Sequence, residues 1–157
     1  MNNAKWLWLA LAVYMIDQIA KVCANKWLVL YQPVPIVPFL NLTLVHNTGA
    51  AFGILEHASG WQFWLFLFIA IIVSSVILVW LHRLTATEKR TALALMLILG
   101  GALGNLADRI MLGHVVDFID FYVGEWHWYV FNLADVAICG GGLLLILDVV
   151  KRKSHEP

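Results

Sequence analysis

WQFWLFLFIAIIVSSVILVWL, residues 61–81, carries no charged side chain from end to end. A helix of about 20 apolar residues crosses the hydrocarbon of a bilayer, so this stretch reads as a membrane span. Three more stretches reach that length: Trp6–Ala24, Thr91–Met111 and Tyr129–Val150. Composition agrees. The 157-residue chain is 62% hydrophobic and 13% charged, about half the charged share of a soluble domain. Its net charge of zero presents no basic face to nucleic acid and no acidic face to a basic partner. The expected fold class is an all-α integral membrane protein, residues 1–157 forming one domain of four transmembrane helices in a phospholipid bilayer.

Orientation follows from the lysines and arginines. Lys5, Arg83, Lys89, Arg90, Lys151, Arg152 and Lys153 fall on one side, and Lys21, Lys26 and Arg109 on the other. By the positive-inside rule both termini are cytoplasmic. The first span could imitate a secretory signal. However, no small-x-small cleavage site follows it, and Asp17 and Lys21 come next instead, so it reads as a retained span. Cys23 follows Lys21-Val22, a poor lipid-attachment context. Cys23 and Cys139 both lie in apolar stretches and read as core residues.

The two outer segments have patterns of their own. Pro33, Pro35 and Pro38 forbid helix, and Leu40, Leu42 and Leu44 alternate with Asn41 and Thr43, the period of a short strand. Asn47-Thr48-Gly49-Ala50-Ala51-Phe52-Gly53 follows, its small residues permitting close approach of a backbone. Gly113 to Trp128 is rich in Val, Phe and Tyr between glycines. Together these predict a small extended (β) platform and a short interfacial segment on the outer face.

Ionisable groups at membrane depth are costly and are usually paired or functional. Here they collect at the outer ends of three spans. Asp17 and Lys21 are four apart and can pair on one helix face. Asn105, Asp108 and Arg109 share a face near the end of the third span. Asn132 and Asp135 open the fourth, with Asp117 and Asp120 between. Simpler roles stay open for several: a self-satisfying ion pair for Asp17–Lys21, snorkelling to phosphates for Arg109, helix capping for Asn132, a solvated or interfacial place for Asp120 and Glu125. Asn-Leu-Ala-Asp occurs at 105–108 and again at 132–135. Because the two helices run oppositely, this reads as two polar clusters converging at one depth.

Asp117 and Asp135 then stand out. Two carboxylates sharing one proton supply both an ionised base for water and an acid for a scissile carbonyl. No serine or cysteine competes as nucleophile: Ser74 and Ser75 lie mid-membrane, and Ser59 has only His57 nearby. His46, His57, His114 and His127 lack zinc-ligand spacing.

At these residues the sequence resembles the signal peptidase II family of membrane aspartyl peptidases over its whole length. The resemblance rests on five motifs in order: Asp17-x-x-x-Lys21; Asn47-Thr48-Gly49-Ala50-Ala51-Phe52; Gly100-Gly101-Ala102-Leu103-Gly104-Asn105-Leu106-Ala107-Asp108-Arg109; Val115-Val116-Asp117-Phe118; and Phe131-Asn132-Leu133-Ala134-Asp135. It implies an endopeptidase acting on diacylglyceryl-modified bacterial prolipoproteins at the inner membrane, without metal or other cofactor, and a monomer. It further implies catalytic roles for Asp117 and Asp135 and substrate contacts for Asn47, Gly49, Asn105, Arg109 and Asn132. Asp17, Lys21, Asp108 and Ala134 would support them. Two rivals from other classes are a small four-span transporter and a metal enzyme with Asp108, Asp117, Asp120 and Asp135 around magnesium.

Overall fold

The computed structural model describes residues 3–49 and 61–153. Ala50–Gly53 of the small-residue box, together with His57 and Ser59, lie outside the described residues.

A short 3₁₀ turn, Asn3–Trp6, leads into α1 (Leu7–Trp27). Strands β1 (Val34–Val37) and β2 (Leu40–Asn47) precede α2 (Trp61–Arg83) and α3 (Lys89–Leu112). Then come β3 (Val115–Val123), β4 (Trp126–His127) and α4 (Leu133–Lys153). All four helices are long and apolar enough to span a membrane. The outer-segment strand pattern extends further than alternation at Leu40–Leu44 predicts. The strands form one antiparallel sheet in the order β1-β2-β3-β4. Gly113, in the left-handed region at φ 78°, caps α3 and turns the chain into β3.

Three of the four expected spans match their helices to within a few residues at each end. The fourth is corrected: the helix starts at Leu133, not at Tyr129. Phe131 is spent on extended pairing with Ile119, exchanging backbone hydrogen bonds of 3.0 and 2.8 Å, and helix follows only after Asn132.

Helix α3 is the hub. Over its most apolar window 56% is buried, against 11% for α2 and for α4. Glycines make that closeness possible, since a Cβ at Gly100 would stand 2.6 Å from the Ala10 carbonyl oxygen of α1. On the other side of α3, Gly101 abuts the Ala134 carbonyl, and a Cβ on Gly141 would reach the Ala94 carbonyl at 2.6 Å. Gly140 and Gly142 face open space, so of that triplet only Gly141 serves the crossing. Gly141→Val is therefore expected to lower stability by about 1–3 kcal/mol through overpacking, with Gly142→Val near neutral. Thermal unfolding of both variants in detergent checks this, and equal melting temperatures would contradict it.

One apolar cluster (Ala10, Ile77, Leu81, Leu84, Ala92, Leu95, Met96 and Leu99) joins α1, α2 and α3 away from the sheet. At the sheet end, Ala24 of α1 packs with Leu44, Val116 and Phe118. That contact sets the sheet over the polar ends of the helices.

Candidate active site

The polar residues singled out in sequence meet at the sheet end of the bundle. Their lowest layer is a buried charge cluster. Lys21 Nζ lies 2.8 Å from Asp17 Oδ2 and 2.9 Å from Asp108 Oδ2, and donates to Asn105 Oδ1 at 2.9 Å. Asp17, Lys21 and Asp108 are 0, 2 and 2% exposed, so bulk water screens none of them. The carboxylates also carry backbone: Asp17 Oδ1 accepts Ala134 N–H (2.9 Å) in the first turn of α4, and Asp108 Oδ2 accepts Val116 N–H (3.0 Å) in β3. Gln18, which sequence reasoning passed over, donates to Asp108 Oδ1 (2.9 Å) and to the Gly104 carbonyl (3.2 Å). The Asp17–Lys21 pair thus ties α1 to α3 and α4, and Asp108 extends the cluster to the sheet.

The next layer is amide. An ammonium only donates, so Asn105 must turn its oxygen to Lys21 and its NH₂ to Asp135, which it meets at Oδ1 (2.8 Å). Asn132 does cap α4, as its sequence position allows. Its Oδ1 accepts Asp135 N–H at 3.0 Å, and Asp135 Oδ2 accepts Asn132 N–H at 3.2 Å, a reciprocal capping box. That leaves the Asn132 NH₂ to donate to Asp117 Oδ1 (2.6 Å) and Asn105 Oδ1 (3.0 Å). The two Asn-Leu-Ala-Asp copies therefore touch through their asparagines, as convergence at one depth requires.

Asp117 projects from β3 and is buried. Its Oδ2 accepts from Asn47 Nδ2 (2.9 Å), whose own oxygen is held by Gly49 N–H (2.9 Å). Burial pushes the Asp117 carboxyl up to about 7, and the charge of Asp135 pushes the same way. The hydrogen bonds from Asn47 and Asn132 and the charge of Lys21 oppose them. Asp135 sits in the first turn of α4, where backbone N–H groups favour an anion. The two aspartates, eighteen residues apart in sequence, share Asn132 because β3 folds back onto Phe131.

Arg109 does not snorkel. Its guanidinium donates to the Gly49 carbonyl (3.1 Å) and the Asn105 carbonyl (3.2 Å) and lies 4.8 Å from the Phe66 ring centre. Asp120, expected to be solvated or interfacial, is not solvated but buried. It is 3% exposed and accepts from Thr43 (2.8 Å), Asn41 (3.2 Å) and His127 Nδ1 (2.8 Å). Burial alone would raise its pKa, but those three hydrogen bonds outweigh it and hold the carboxyl below its ordinary value. The four aspartates of the magnesium reading do not converge, for Asp108 is taken up by Lys21, Gln18 and Val116, and Asp120 faces away from Asp117. His46 and His114, far apart in sequence, stack with ring centres 4.1 Å apart.

The family model described as signal peptidase (SPase) II matches residues 9–151. A lipoprotein signal peptidase of Photorhabdus laumondii is 49% identical over 147 residues, covering 94% of this chain and 88% of its own. One from Pseudomonas putida is 50% identical, covering 96% and 90%. A bacterial membrane enzyme solved in meso at 2.3 Å superposes with a TM-score of 0.88 at 30% identity, over 98% of this chain and 92% of that one. A second, at 1.9 Å, gives 0.83 at 32% identity over 94% of each.

Proposed function

This chain belongs to the signal peptidase II family, and from that premise we propose how it removes signal peptides from prolipoproteins: it cuts just before a diacylglyceryl-modified cysteine, using Asp117, Asp135 and water. The observation that carries this reading is Asn132, one residue hydrogen-bonded to both carboxylates.

The pair holds one proton, resting on Asp117, whose carboxyl is raised to about 7. Ionised Asp135 takes a proton from water as the water oxygen attacks the scissile carbonyl. Asp117 gives its proton to the carbonyl oxygen. Collapse of the tetrahedral diol breaks the C–N bond and returns a proton to Asp117. The proton on Asp135 passes to the leaving amine of the cysteine. Asn47, Gly49, Asn105, Arg109 and Asn132 line the substrate backbone. Arg109, whose guanidinium carries five N–H donors, is held by the Gly49 and Asn105 carbonyls with its fork beside the pair, where it would donate to a substrate carbonyl. Asp17, Lys21, Asp108 and Ala134 hold that set in place.

The chain acts as a monomer in the bacterial inner membrane, both termini cytoplasmic and the site at the periplasmic surface. Seven of its ten lysines and arginines lie at the end away from the site, which supports this orientation. A transport path would need polar groups at both membrane faces, whereas this cluster occupies one. Magnesium is not required, because Arg109 beside the pair would repel a cation.

The location suits the substrate, since a lipidated cysteine lies at the outer leaflet and withdrawing its chains costs about 0.8 kcal/mol per CH₂. Purified protein in lipid is expected to cleave a lipidated precursor at least about tenfold faster than its unlipidated form. Equal rates would contradict an interfacial site.

The pH dependence has a definite sign. Asp117 keeps its proton below about pH 7 and loses it above, so the pair loses its acid on the alkaline side. kcat/KM should fall about tenfold per pH unit well above 7. A rate constant flat to pH 9 would show that the proton is not needed.

A further inference from the structure

The β2–β3 pairing is out of step. Leu42 faces Ile119 and Val45 faces Asp117, so β2 advances three residues while β3 advances two. One extra residue in a strand is a bulge, and it reverses which face every later side chain occupies. Burial shows the same thing: adjacent Thr43 and Leu44 are both buried on one face. Thr43 reaches Asp120, and Leu44 packs with Val116 and Phe118. In an unbroken strand Asn47 would share the face of Asn41 and Thr43, pointing away from Asp117. After the bulge it pairs with Val115, on the Asp117 face, and its NH₂ meets Asp117 at 2.9 Å.

Asp120 holds the leading side of the irregular stretch. Its Oδ2 accepts from Asn41, its register partner ahead of the bulge, and from Thr43 within it. His127 of β4 fixes the other oxygen at 2.8 Å. All three donors come from strands and turn their hydrogen bonds to Asp120.

We infer that Asp120 is a positioning residue, holding the bulge that swings Asn47 onto Asp117. This inference rests on Asp117 being one of the catalytic pair. Asp120 acts on the reaction only through the Asn47 hydrogen bond, which favours the ionised form of Asp117. Its loss therefore makes Asp117 hold its proton to higher pH. Simple removal of a nearby negative charge would move Asp117 the other way, so the direction separates the two effects.

The test is the alkaline limb of the kcat/KM profile for a lipidated precursor. Asp120→Ala and Asn47→Ala should each move the limb upward by roughly one pH unit, and the double variant no further. Asp120→Asn keeps an acceptor for Thr43 and Asn41 and should leave the limb in place. An unmoved or lowered limb in Asp120→Ala, or additive shifts in the double variant, would overturn the inference. Should Asp120→Ala fail to fold, Thr43→Val takes its place: an upward shift supports the positioning role, and an unmoved or lowered limb overturns it. Asp117→Asn, assayed alongside, separates the two levels. Turnover in that variant removes the catalytic pair itself; its absence with an unmoved Asp120→Ala limb removes only the positioning role.

Discussion

Asp117→Asn and Asp135→Asn are each expected to slow cleavage of a lipidated precursor by about 10³- to 10⁴-fold while the protein stays folded in the membrane. An amide in place of Asp117 cannot be the acid, and one in place of Asp135 cannot be the base. The fold should survive because neither residue carries the helix crossings. Those rest on Gly100, Gly101 and Gly141, and on the apolar cluster remote from the sheet. The local cost is limited: an amide at 117 cannot accept from both Asn47 and Asn132, so one of those bonds weakens. Elution from a sizing column and circular dichroism, read beside the cleavage rate, check both halves of the expectation. Near-normal turnover by either variant would remove that residue from the chemistry.

The second large effect belongs to Lys21. Two buried carboxylates lie within 3 Å of its ammonium, and neither forms another salt bridge among the described residues. Lys21→Met leaves both without it in a low-dielectric layer, and breaking a buried pair in this way costs about 3–5 kcal/mol. That is a large part of the whole stability of an ordinary domain. Activity should fall as well, because Asn105 loses one of the two donors that orient its amide toward Asp135, keeping only Asn132. Adding Asp17→Asn and Asp108→Asn to Lys21→Met removes the stranded charges, and each amide keeps an oxygen for Ala134 or Val116. The triple variant should regain most of the stability and little of the activity. Thermal unfolding and cleavage measured together decide it. A Lys21→Met protein as stable as the parent would contradict a stabilising role for this charge layer.

Much of this arrangement was legible from residue order. Trp61–Leu81 announces a span by apolar length alone, and Asp17 with Lys21 announces a pair by helical spacing. The five motifs mark almost every residue that the structure gathers. What could not be read is what depends on contacts distant in sequence. Tyr129–Phe131 is apolar and looks like helix until Ile119 claims Phe131 for a strand bridge. Asp120 looks like a solvated or interfacial carboxylate, because the donors that bury it on β2 stand 77 and 79 residues away. Gln18 is a single amide in an apolar helix, and its partner Asp108 is 90 residues on. A polar side chain inside a span was the available signal for Gln18, and it carried less weight than the charges beside it.

Asp117 and Asp135 should work as one unit around a shared proton, and groups that act as a unit do not lose activity additively. The direct measurement is single-turnover cleavage of a lipidated precursor by the parent, the two Asp→Asn variants and the double variant, all in the same lipid. The double variant is expected to be no slower than the slower of the two single variants. Losses that multiply, or one single variant that retains turnover, would show that the two aspartates act separately.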